Sequence, residues 1–66
     1  MKWVTIKKTA VNMDNVDAFK WEEGQLYVFF NSEDSPTEWE DPNADLYRKL
    51  CREMEVLPVV EREIYD

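Results

Sequence analysis

The run Leu26-Tyr27-Val28-Phe29-Phe30 constrains this chain more than any other stretch. Successive strand residues point to opposite faces, so Leu26, Val28 and Phe30 line one side and Tyr27 and Phe29 the other. A strand that is apolar on both faces must be covered on both faces. A chain of 66 residues has little material with which to do that, so the run points to a partner.

A chain this short forms one domain, residues 1–66, and buries only about 60% of the surface its unfolded form exposes. Small domains are commonly reinforced by disulfides, a metal or oligomerisation. The single Cys rules out an intramolecular disulfide, and the absence of His rules out a zinc site of the usual Cys/His kind. Oligomerisation or an unusually aromatic core is left, and three Trp, three Tyr and three Phe suit both. An apolar fraction of 44% with only one Gly argues against disorder.

The pattern along the chain predicts an α+β domain with a four-stranded, mostly antiparallel sheet and one C-terminal helix across one face. Val4 and Ile6 alternate with Trp3, Thr5 and Lys7 as a strand, and Ala10 to Met13 continue as an extended segment after a turn at Lys7-Lys8-Thr9. Asp14-Asn15 is turn-forming and leads into a second strand, Val16 to Trp21. Gly24, the only glycine, suits positive φ in a hairpin loop before the third strand, Leu26 to Asn31. Thr37 to Glu40 reads as a short, charged edge strand after the polar loop ending at Pro36.

Asp41-Pro42 reads as a helix start, with Asp41 capping and Pro42 at the first helical position. Leu46, Tyr47, Leu50, Cys51, Met54 and Leu57 recur at helical spacing and form one apolar stripe, and Pro58 ends the helix at or just before Leu57. This stripe is expected to cover Leu26, Val28 and Phe30, with Val4 and Ile6 as companions. Residues 58–66 read as a swapped or flexible tail: a fifth strand paired within the chain or onto a neighbouring protomer, or a frayed end. Val60, Ile64 and Tyr65 favour order, because exposing them to water is costly.

The segment Val11-Asn12-Met13-Asp14-Asn15-Val16 resembles a pattern in small proteins of bacteria, phages and mobile elements. These run strand, a (V/I)-N-(L/M)-D-N-V turn into a strand, a hairpin and a closing helix. The resemblance spans residues 3–55 and implies the architecture; it brings no activity, cofactor or site residue.

The chemistry-bearing residues favour binding over catalysis. Cys51 is the one strong nucleophile, but it falls on the apolar stripe between Tyr47 and Met54, with no His to act as its base. Glu33, Asp34, Glu38, Glu40, Asp41 and Asp45 cluster near the second loop and helix start, without the spacing or central Gly of an EF-hand. Paired carboxylates for glycoside chemistry need a cleft, and ligand pockets run to about 300 Å3 or more. A single Gly cannot build a phosphate-cradling loop. No catalytic residue, cofactor or metal ligand is therefore assigned, and the chain is read as a non-enzyme.

Trp3, Phe19, Trp21, Tyr27 and Phe29 are the candidate interface. They are aromatic strand residues flanked by acidic side chains, which disfavours base stacking and favours a protein partner. A net charge of −7 likewise opposes direct nucleic-acid binding. The leading function is a protein-interaction module acting as a homodimer or other homo-oligomer. The alternative is an acidic inhibitor or nucleic-acid mimic that blocks a basic site on another protein. No 18-residue apolar stretch and no secretory leader is visible, and the unpaired Cys51 suits a reducing compartment, so the expected location is cytoplasmic and membrane-free.

Overall fold

In a computed structural model that describes residues 2–58, the expected tail over residues 58–66 lies, apart from Pro58, outside the described residues. The elements in chain order are β1 (Trp3–Ile6), β2 (Thr9–Asn12), a 3-10 turn (Met13–Asn15), β3 (Val16–Glu22), β4 (Gln25–Phe30), β5 (Thr37–Glu40) and α1 (Asp45–Met54). The class is α+β with antiparallel pairing and a C-terminal helix, but the strands form two sheets rather than one of four. β1 and β2 make a hairpin, and β3, β4 and β5 make a separate meander.

The division follows from Asn12. Its side-chain Oδ1 accepts the Asp14 N–H at 3.0 Å, which nucleates the 3-10 turn at Met13–Asn15 and ends the β2 ladder. The stretch read as a loosely extended approach is thus a full strand, pairing Trp3 with Asn12, Val4 with Val11, Thr5 with Ala10 and Ile6 with Thr9. β1 is therefore committed to β2 and does not extend the meander.

Within the meander, Glu23 and Gly24 form the two-residue loop between β3 and β4, both with positive φ (51° and 80°), as a type I′ hairpin requires. Val16 pairs with Phe30 but Ala18 with Phe29, so one extra residue bulges from β3 at Asp17. Beyond the bulge, Phe19 lies opposite Val28 and Trp21 opposite Leu26, while Lys20 lies opposite Tyr27. Directly paired side chains share a face. The inner face accordingly carries Phe19, Trp21, Leu26, Val28 and Trp39, and the outer face Ala18, Lys20, Tyr27, Phe29 and Glu38.

The helix lies over both sheets. Lys49 Nζ donates to the Thr5 carbonyl at 2.8 Å and Lys2 Nζ to the Glu53 carbonyl at 2.9 Å, while Tyr47 meets Phe19 edge-on with ring centres 5.8 Å apart. Tyr47, Leu50 and Cys51 join Val4, Ile6, Val11, Met13, Leu26, Val28 and Ala44 in one buried core. Ile6, Leu26, Leu50 and Val28 are fully enclosed, each contributing about 1.5–3 kcal/mol by leaving water. The expected stripe does cover Leu26 and Val28, with Val4 and Ile6 beside them.

Both ends of the helix differ from expectation. It starts at Asp45, because Pro42 and Asn43 belong to a turn and Ala44 takes a left-handed conformation (φ 62°) before it. Asp41 still caps, from further upstream: Oδ1 accepts the Leu46 N–H and Oδ2 the Tyr47 N–H, each at 3.0 Å. The carboxylate is buried, satisfies two of the helix's free donors and places negative charge at the positive end of its dipole. At the other end, Glu55 turns left-handed (φ 61°), and the Val56 N–H reaches back to the Cys51 carbonyl at 2.9 Å. This closure stops the helix at Met54, before Pro58 can, and leaves Leu57 87% exposed instead of on the stripe.

Two substitutions test these ends. Asp41→Ala strands two helical N–H groups and is expected to cost about 2–4 kcal/mol in urea unfolding. Asp41→Asn, which retains one acceptor but sets an NH2 against the second donor, is expected to fall between Ala and the parent. A left-handed residue with a Cβ is strained by about 1–2 kcal/mol. Glu55→Gly relieves this, and after the entropy cost of glycine it is expected to stabilise by about 0.5–1 kcal/mol.

Candidate functional site

The 3-10 turn, the bulged start of β3 and the second half of α1 do not close completely on one another. Between them lies a cleft of about 370 Å3, open to solvent. Val16, Ala18 and Phe19 form its β3 wall, and Tyr47, Cys51 and Met54 its helix wall. Met13 and Val56 also line it, with Asp17 as the one charged member among the described residues. The bulge is what admits Asp17 here, since the extra residue shifts the start of β3 out of the alternation that the remainder obeys.

The apolar lining continues onto the surface. Met54 is 37% exposed, Val56 51% and Leu57 87%, so the cleft opens onto an apolar ledge at the end of the helix. Such a recess accepts one or two apolar side chains. Cys51 in the helix wall is buried, and burial pushes its thiol pKa up, against a smaller opposing effect from a hydrogen bond with Tyr47. Every buried side-chain nitrogen or oxygen among the described residues has a hydrogen-bond partner, and no group of three or more Cys, Asp or Glu is placed to hold a metal ion.

The five aromatic candidates separate into three environments. Phe19 lies in the cleft. Trp21 packs against the core and its Nε1–H donates to the Asp41 carbonyl at 2.6 Å, so it serves the fold. Tyr27 and Phe29 are half-buried on the outer face of the meander, where Lys20 Nζ stands 5.2 Å from the Tyr27 ring centre and 3.1 Å from Glu22 Oε1. Trp3, 57% exposed, is on the other sheet. The separation follows from strand parity: Phe19 and Trp21 pair with Val28 and Leu26, whereas Tyr27 and Phe29 pair with Lys20 and Ala18.

Sequence reasoning did not assemble Met13, Val16, Met54 and Val56 into one site. They come from different elements, and only Met54, the last helical member of the apolar stripe, carried a visible signal. No helix among the described residues is long and apolar enough to cross a membrane. Compared with protein-family models, curated proteins and solved structures, the chain matches none.

The Cys51 environment makes stability depend on pH. The raised folded-state pKa favours the neutral thiol, so its contribution is complete below the unfolded-state value, about 8.5, and is lost as pH rises through the raised one. The stability advantage of the parent over Cys51→Ala should therefore shrink between pH 7 and pH 10 in urea unfolding. An advantage that stays constant or grows contradicts the assignment.

Proposed function

We propose that this chain is a non-enzymatic protein-interaction module that works as a homodimer, with the cleft between β3 and α1 as its contact surface. The observation that carries the reading is the continuity of that recess with the surface through Met54 and Val56, which line it and are exposed. A contiguous apolar surface bordered by polar residues marks a contact site on a small protein, and the core of a contact patch is poor in charge. Asp17 is the only charge in the lining among the described residues. The high pKa of the Cys51 thiol supports the non-enzymatic reading, and a lone thiol in this position supports a reducing, cytoplasmic setting.

A second reading is supported by the distribution of charge. Between Met13 and Asp41 nine acidic residues stand against one Lys, while Lys2, Lys7 and Lys8 make the first hairpin basic. An acidic inhibitor of a basic site on another protein would use the meander, including Glu38 and Glu40 beside Tyr27.

Sedimentation velocity of the full chain at micromolar concentration separates the two. The first reading predicts a dimer that Met54→Asp or Val56→Asp converts to monomer without changing far-UV circular dichroism. A monomer at all accessible concentrations contradicts it. Salt-sensitive capture of basic proteins, lost in a Glu38→Gln, Glu40→Gln double variant, would support the second.

A further inference from the structure

The cleft runs along a strand edge that no other described strand pairs with. In the order β3–β4–β5, β3 is an outer strand, and its residues Val16 to Phe19 wall the recess opposite Cys51 and Met54. A free edge beside an apolar groove is the geometry that receives an added strand: the backbone offers hydrogen bonds, and the groove takes alternate side chains.

The chain itself supplies a segment of matching chemistry at the right place. Val56 lines the cleft, and three positions later the sequence goes on with Val59-Val60-Glu61-Arg62-Glu63-Ile64-Tyr65-Asp66. In an extended strand Val60, Arg62 and Ile64 share one side, an alternation of apolar, cationic and apolar groups. The recess offers the complement, apolar walls with the exposed Asp17 at their rim, which makes no ion pair among the described residues. A cleft that serves as the contact between two copies takes this segment from the other molecule. Leu57 precedes Pro58, which biases it to extended backbone, and its side chain is 87% exposed.

We infer that residues 59–66 of a second copy occupy this cleft as a strand added to the free edge of β3, with Arg62 of each copy on Asp17 of the other. The exchange is reciprocal about a two-fold axis, so both clefts fill and the assembly closes as a dimer. The inference rests on the reading of the cleft as the dimer contact and names what fills it.

Charge reversal in the full chain tests this by sedimentation equilibrium. Arg62→Glu and Asp17→Arg are each expected to raise the dimer dissociation constant about tenfold or more, and the double variant to recover most of that loss. Val60→Asp with Ile64→Asp is expected to give monomer, with Cys51 alkylated faster than in the parent dimer. If these variants dimerise as the parent does while Val56→Asp does not, the tail assignment is overturned and the cleft remains the contact. A parent chain that is monomeric overturns the dimer itself. If Val60→Asp with Ile64→Asp then also speeds Cys51 alkylation, the segment docks in its own cleft, which likewise overturns exchange between copies.

Discussion

The buried carboxylate of Asp41, gripping the Leu46 and Tyr47 amides, decides where the helix begins and how it meets the sheets. The same residue is held from the other side. Its N–H donates to the Gly24 carbonyl at 2.9 Å, and its carbonyl accepts from Trp21 Nε1 and the Ala44 N–H. One residue thus ties the β3–β4 hairpin tip to the helix start. Without that tie the rings of Tyr47 and Phe19 would lose their register, and with them the floor of the cleft.

The interior was largely legible from the sequence because burial follows period. Leu26 and Val28 alternate and are enclosed, and Tyr47, Leu50 and Cys51 recur at helical spacing and are enclosed opposite them. Asp41 was legible as a cap, although it acts from beyond the position where capping residues ordinarily stand. Gly24 was legible because its loop requires positive φ.

What was not legible depends on single hydrogen bonds and a single extra residue. The Asn12-to-Asp14 bond divides one expected sheet into two, and no pattern of hydrophobicity records it. The bulge at Asp17 decides which part of β3 faces the helix and places an exposed acidic residue at the rim of an apolar recess. Lys7 and Glu55 take positive φ without a Gly or Asn beside them, so their turns lack the residues by which such turns are recognised, and Ala44 takes positive φ where Asn43 beside it does not. The early left-handed turn at Glu55 shortened the helix and exposed Leu57. The candidate aromatics separated for the same reason, since strand parity and pairing, not composition, assign them to faces.

These departures converge on one region. The bulge, the 3-10 turn and the shortened helix each border the cleft, and there the first strand of the meander has an edge that no other described strand pairs with. Hydrogen–deuterium exchange on the full chain, at concentrations above and below dimer dissociation, tests this most directly. The account predicts that association protects backbone amides within Val16 to Phe19 and leaves β5 unchanged. Protection confined to β5 or to the outer face of the meander, or exchange independent of concentration, would contradict it.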